Sequence, residues 1–174
     1  MVVILLPFLI IITFLLLLVI VLFFFTVFDL FLELPYVGAK REMVSTIVKL
    51  AQIEKGETVV DLGSGDGRLL IAAAKKGAKA IGYEINPFLI AVTLIHTKLE
   101  GLGNQVWIQR ENLWKADLAV ADIIFVYAKR KSMQKFEDFV YKNAQKGTRV
   151  IVNTNPFPNV KPQKALGKIF LYKI

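Results

Sequence analysis

The first 28 positions of the chain are apolar or uncharged throughout, and beyond them the pattern breaks into short runs of alternating type. As a helix, the segment Val2–Phe28 would be about 40 Å long at roughly 1.5 Å per residue. A bilayer core needs about 30 Å, so the segment is long enough to cross one with some tilt. A cleaved signal peptide calls for a basic start, a short apolar stretch and a small-residue cleavage site. The start here has no Lys or Arg, and the end, Phe23-Phe24-Phe25-Thr26-Val27-Phe28, is bulky. A retained single-pass anchor is therefore expected.

After the anchor, Leu34-Pro35-Tyr36-Val37-Gly38 reads as a turn-like junction, because Pro35 breaks any helix running through it. A helix is predicted over 40–52, where Met43, Ile47, Leu50 and Ala51 recur at helical spacing and Val44 and Val48 widen the stripe. Strand and helix signals then alternate. Strands are predicted at 58–62, 79–83, 105–110, 122–127, 149–153 and 169–174. Helices are predicted at 67–76, 87–100 and 132–144.

Such alternation means crossover units, so a mainly parallel, Rossmann-like α/β sheet is expected, with ligands held beyond the carboxyl ends of its strands. The stretch containing Pro156, Pro158 and Pro162 is too short and proline-rich for a crossover helix. The last strand should therefore run antiparallel after an extended loop. Six strands are countable, so a seven-strand-type sheet would be one strand short. The expected division is an anchor at 1–28, a linker and first soluble helix at 29–56, and the main domain at 57–174.

Charge adds orientation. All 22 Lys and Arg and all 14 Asp and Glu lie after the anchor, giving a net +8. Lys40, Arg41 and Lys49 follow the span and no basic residue precedes it, so the positive-inside rule places the C-terminal domain in the cytoplasm. There are no cysteines, which excludes disulfides and thiolate metal ligands. No metal site is expected.

The run with the most chemistry is Val59-Val60-Asp61-Leu62-Gly63-Ser64-Gly65-Asp66-Gly67-Arg68. A glycine-rich turn between strand and helix lets a ligand approach the backbone and its N–H groups. Its G-x-G-x-G spacing differs from the dinucleotide fingerprint. Asp61 and Asp66 would also repel a pyrophosphate held there. A ligand carrying an ammonium and a sulfonium, as S-adenosylmethionine does, is favoured instead. Glu84, at the tip of the second strand, is placed to accept hydrogen bonds from ribose hydroxyls. After the third strand, Asn112 suits an adenine edge and Leu113 its ring face. Gly63, Ser64, Gly65 and Ile85 complete the expected cofactor contacts.

Three runs, Asp-Leu-Gly-Ser-Gly-Asp-Gly-Arg (61–68), Gly-Tyr-Glu-Ile-Asn-Pro-Phe-Leu (82–89) and Asn-Leu-Trp-Lys (112–115), carry a resemblance. With Pro35-Tyr36-Val37 and the apolar start, the chain resembles the membrane-associated seven-strand lysine methyltransferases. Mitochondrial members of that family modify the adenine nucleotide translocase and the c-subunit of ATP synthase. The resemblance implies an S-adenosylmethionine-dependent protein-lysine methyltransferase with a protein substrate, working at a membrane. The apolar start in place of a mitochondrial presequence implies a prokaryotic member. Gly38 stands where family members often have proline.

Amino methyltransferases for nucleobases or glutamine amides often carry an Asn/Asp-Pro-Pro-aromatic tetrapeptide after the fourth strand. The nearest match here, Asn155-Pro156-Phe157-Pro158, comes one strand later, so a lysine acceptor is favoured and no nucleic-acid partner is expected. Tyr36 and Tyr127 are the candidate catalytic residues, as walls of the amine pocket, with Phe157 a third wall or a core ring. His96 is expected to be structural. Lys129, Arg130, Lys131 and Lys135 form a basic run suited to solvent or anionic headgroups. Two alternatives stay open: a methyltransferase for a lipid or other small molecule, and a tethered S-adenosylmethionine-binding module without catalysis. Oligomeric state is left open.

Overall fold

A computed structural model describes residues 2–31 and 41–174, with side chains at 7–26 and 43–174. The junction at Leu34–Gly38, and Tyr36 with it, lies outside them. The chain divides into two compact units, Met1–Tyr36 and Val37–Ile174.

The first unit holds helix α1 (Val2–Phe31). Within it, Pro7–Thr26 has a mean hydropathy of 3.5, no part of it is buried, and it is long and apolar enough to cross a membrane. Its two threonines need no water, since Thr13 and Thr26 donate their hydroxyls to the carbonyls of Leu9 and Leu22 at 2.7 and 2.9 Å.

The second unit begins with α2 (Arg41–Ala51) and continues β1 (Thr58–Leu62), α3 (Arg68–Ala74), β2 (Lys79–Tyr83), α4 (Pro87–Leu99) and β3 (Val106–Gln109). After a 3-10 turn at Leu113–Lys115 come β4 (Ile123–Tyr127), a second 3-10 turn at Arg130–Ser132, α5 (Met133–Asn143) and β5 (Arg149–Asn153). The chain ends in β6 (Lys164–Leu166) and β7 (Ile169–Lys173).

The sheet has seven strands in the order β3-β2-β1-β4-β5-β7-β6. Strands β1 to β5 are parallel, β7 is antiparallel to β5, and β6 is antiparallel to β7. The antiparallel last strand was expected. The short count was wrong: the seventh strand is β6, three exposed residues paired to β7 across a two-residue turn at Gly167-Lys168. Gly167, at φ 60°, supplies the left-handed backbone that such a turn needs.

One face of the sheet packs against α2 and α3, with Ile47, Leu50, Leu70, Val59, Phe125 and Ile151 in its core. The guanidinium of Arg149, at the start of β5, donates to the Gln52 carbonyl at 2.8 Å and pairs with Glu57. These bonds fix the end of α2 at the amino ends of the strands, so α2 begins toward their carboxyl ends. On the other face, Tyr172 of β7, Phe157 and Tyr141 of α5 form a ring cluster with centroid separations of 4.7 and 6.2 Å.

Candidate functional site at the carboxyl ends of the strands

The glycine loop is tied to the neighbouring strand before any ligand is considered. The N–H groups of Gly63 and Ser64 both donate to the Tyr83 carbonyl, at 2.9 and 3.1 Å. Gly67 turns the chain into α3 with φ 75°, and a Cβ there would meet Thr93 Cγ2 at 2.2 Å. Thr93 is buried in α4, and its one hydroxyl proton is shared between the carbonyls of Gly65 and Leu89, both 3.0 Å from Oγ1. At Gly82 on β2, a Cβ would lie 2.5 Å from Leu70 Cδ1 and 2.6 Å from Ser64 Oγ, so only glycine lets the loop sit this close.

Three acids surround the loop, and each is held differently. Glu84 binds three backbone N–H groups: Gly65 at 3.0 Å through Oε2, and Ile85 and Asn86 at 2.9 and 2.8 Å through Oε1. A carboxylate has about four lone-pair positions, so at least one is left for a ligand hydroxyl. Asp66 forms a forked ion pair with Arg68. Asp61 is buried, and its pKa is raised to about 7 by burial first, then by Glu84 and Asp66. A buried carboxyl facing two more acids favours a cationic partner.

The third tip reaches the same place. Asn112 caps the 3-10 turn, its Oδ1 accepting from the Trp114 N–H at 3.1 Å, which commits that oxygen and leaves the Nδ2 donor. Leu113 is buried, with Cδ2 3.7 Å from where a Cβ on Gly63 would stand. The structure therefore brings Asp61, Gly63, Ser64, Gly65, Glu84, Ile85 and Leu113 together at the carboxyl ends of neighbouring strands. Ser64 Oγ is buried there with no hydrogen-bond partner among the described residues.

Asp61 is in register with Phe125, and Tyr127 with Asn153. Paired and alternate residues share a face, so Tyr127 stands on the Asp61 face at the end of β4. Beyond β5 the backbone is unusual. Thr154 has φ 72°, a strained value for a β-branched residue. Asn153 is buried, and its Nδ2 has no partner among the described residues. Asn155 Nδ2 donates to the Ala128 carbonyl at 2.8 Å and so joins the loops after β4 and β5.

Sequence reasoning missed Thr93, Asn153 and this Asn155 latch, and the Asp66–Arg68 pair was equally invisible. Phe157 is a core ring, buried against Tyr172, whose hydroxyl accepts its N–H at 2.9 Å. His96 is exposed on α4. In the basic run, Lys135 lies 4.1 Å above the Trp114 ring.

The profile of the ANTKMT methyltransferase domain matches residues 61–164, more than half of the chain. The chain is 34% identical over 140 residues to the adenine nucleotide translocase lysine N-methyltransferase of Mus musculus, covering 80% of this chain and 61% of that one. It is 29% identical over 120 residues to a protein-lysine N-methyltransferase of Saccharolobus islandicus, covering 68% and 74%. Among solved structures, an RNA methyltransferase from Salinibacter ruber in complex with S-adenosyl-L-homocysteine superposes with a TM-score of 0.76. That match has 26% identity and covers 79% of this chain and 94% of the other. The chain spans about three-fifths of the length of the first curated relatives it matches. The chain belongs to the ANTKMT methyltransferase domain family.

Proposed function

We propose that this protein is an S-adenosylmethionine-dependent protein-lysine methyltransferase, held in a membrane by α1 and acting on proteins in or against that membrane. The observation that carries the cofactor is the pair of acids at the tips of β1 and β2. Asp61 is a buried carboxyl with a raised pKa and acidic neighbours, suited to a cationic ligand. Glu84 is pinned by three N–H groups with acceptor capacity to spare. The donor and acceptor set fits S-adenosylmethionine better than a dinucleotide, whose phosphates would face these acids.

In this reading Asp61 provides charge for the cationic methionine end, Glu84 accepts from the ribose hydroxyls, and Asn112 Nδ2 donates to the adenine edge. Leu113 packs on the adenine ring. Ile85 and the loop residues Gly63, Ser64, Gly65 and Asp66 shape the walls. When bound, S-adenosylmethionine supplies an electrophilic methyl group on a positively charged sulfur.

The chain's remaining task is to present a neutral amine. Lysine has a reference pKa near 10.4, so neutrality at pH 7 costs roughly 4–5 kcal/mol. Desolvation beside aromatic rings lowers that pKa, which makes placement more important than a strong base. Tyr127, half-buried at the end of β4, is proposed as one wall of the amine path. Tyr36 precedes α2 by five residues and is proposed as the other. The catalytic unit would lie on the cytoplasmic side, as the Lys and Arg after the span require.

The test is incubation of the full chain with membranes and radiolabelled S-adenosylmethionine, with Asp61→Ala as control. Label should appear in protein, and mass spectrometry should locate it on lysine. Label only in lipid or RNA would overturn the lysine assignment while leaving the cofactor site intact.

A further inference from the structure

Helix α4 is assembled inside out. Its 13 residues, Pro87–Leu99, include one Lys, one His and no acid. Against the sheet and α3 it fully buries Thr93 and Thr97, which are 0% and 3% exposed. On its outer side Leu94, Ile95 and Leu99 are 53%, 59% and 79% exposed. At 100° per residue, Ala91, Ile95 and Leu99 stack in one stripe, with Leu94 and Lys98 along its flank. A helix apolar on all sides ordinarily has apolar surroundings on all sides.

The carboxyl end of the stripe is basic. The ion pair between Lys75 and Glu100, at 2.8 Å, sets the turn between α3 and β2 beside the end of α4. Lys76 and Lys79 stand exposed on that turn, and Lys55 packs against its Gly77. With Lys98 they gather positive charge at the carboxyl end of α4, the end that carries Leu99, in a chain of net charge +8.

We infer that α4 is a membrane-surface helix that lies in the headgroup region of an anionic bilayer, with Leu94, Ile95 and Leu99 inserted. Three observations select lipid over a second copy of the chain. The carboxyl end of α4 is positive, which complements an anionic leaflet and repels an identical end. The stripe is a few side chains on one 13-residue helix, whereas a stable protein interface takes roughly 20–30 residues a side. The same chain carries a helix long and apolar enough to span the bilayer, and nine residues, 32–40, separate α1 from α2, enough for the soluble unit to rest on the surface.

The consequence for the enzyme is orientation. A crossover helix runs roughly antiparallel to its strands, so a flat α4 lays the strands along the membrane plane. The crevice at their carboxyl ends then opens sideways at headgroup height. This surface contact rests on α1 being a span and is independent of which acceptor is methylated.

The absence of cysteine makes the test direct. Leu99→Cys and Ile95→Cys, with Leu166→Cys on β6 as the reference, are each spin-labelled in the full chain. The chain is reconstituted in vesicles of phosphatidylcholine with one-third phosphatidylglycerol. Labels at 95 and 99 should favour dissolved oxygen over an aqueous nickel chelate several-fold more than the label at 166. Equal nickel access at 99 and 166 in vesicles that carry the protein would overturn the docking alone. Shielding of 95 and 99 from both reagents would overturn it in favour of a protein partner. A chain that does not float with the vesicles would overturn the span, and the docking with it.

Discussion

At the tips of β1 and β2 the loop backbone is already bonded within the protein, and the buried Ser64 hydroxyl is the loop side chain without a partner among the described residues. Gly63 and Ser64 share the Tyr83 carbonyl, Glu84 gathers three N–H groups, and Thr93 holds the Gly65 carbonyl. At the tips of β4 and β5 a single latch, from Asn155 to Ala128, stands beside a buried Asn153 donor with no partner among the described residues and a left-handed Thr154. The first region is preorganised for one ligand of fixed shape, which lowers the entropy lost on binding. The second stores strain and an unmet hydrogen bond, as a region does when a variable guest completes it. Substitutions on the two sides should therefore fail in different ways.

The largest effect is expected at Asp61. Asp61→Ala should lower S-adenosylmethionine affinity at least ~100-fold by calorimetry, since it removes a buried charge facing a cation. Asp61→Asn should do the same yet stabilise the free chain at pH 8. The folded pKa, about 7, lies above the unfolded 3.8. The stability associated with the protonated carboxyl is therefore complete below about pH 4 and lost as pH rises through 7. Relief by Asn is bounded by roughly 4 kcal/mol. Equal melting temperatures for wild type and Asp61→Asn at pH 8 would refute the buried-charge account.

Glu84→Ala comes next, with a loss of about 2 kcal/mol, or roughly 30-fold, for a charge-assisted acceptor. An analogue lacking the ribose hydroxyls should bind wild type and variant alike. If the analogue still favours wild type, Glu84 acts only by bracing Gly65. Smaller for each pH unit, though it accumulates over several, is the pH response of the wild type. A cationic ligand prefers ionised Asp61, so affinity should fall below pH 7 and approach a tenfold loss per unit. A flat profile between pH 5 and 7 would place the ammonium elsewhere.

The same contrast explains what the sequence could disclose. Strands 58–62, 79–83 and 149–153 were legible to the residue, the first and last as runs rich in β-branched residues and the second from its place between two helix signals. Asp61 and Glu84 were legible because the crevice rule assigns chemistry to strand tips. Strand β6 was hidden, since Lys164-Ala165-Leu166 has no alternation and depends on β7 for its existence; Gly167-Lys168 was the only local sign of a hairpin. Thr93 looked like filler in an apolar helix, and only the passage of α4 under the glycine loop gives it a task. Asn153 was read only as the end of the fifth strand and Asn155 only as the head of an Asn-Pro-Phe-Pro run, because the partner of Asn155 lies across the sheet at Ala128.

The smallest predicted change is the one that separates the two regions most cleanly. Asn155→Ala removes a neutral hydrogen bond to the Ala128 carbonyl, 2.8 Å long in the structure, and with it the join between the loops after β4 and β5. A neutral side-chain bond of this kind contributes about 1 kcal/mol, so the variant should fold and melt only a few degrees lower. Tyr127 lies one residue before Ala128, and freeing that carbonyl loosens the backbone that aims its ring. The glycine loop, Asp61 and Glu84 share no bond with Asn155, so S-adenosylmethionine affinity should stay within twofold of wild type. The acceptor KM should rise about fivefold at most, in line with a loss of about 1 kcal/mol in placement. Asn155→Asp, which keeps the shape but offers an acceptor to an acceptor, should be at least as impaired. A drop in cofactor affinity equal to the loss in acceptor turnover would show that the two halves of the crevice are one cooperative unit, and the contrast would fall.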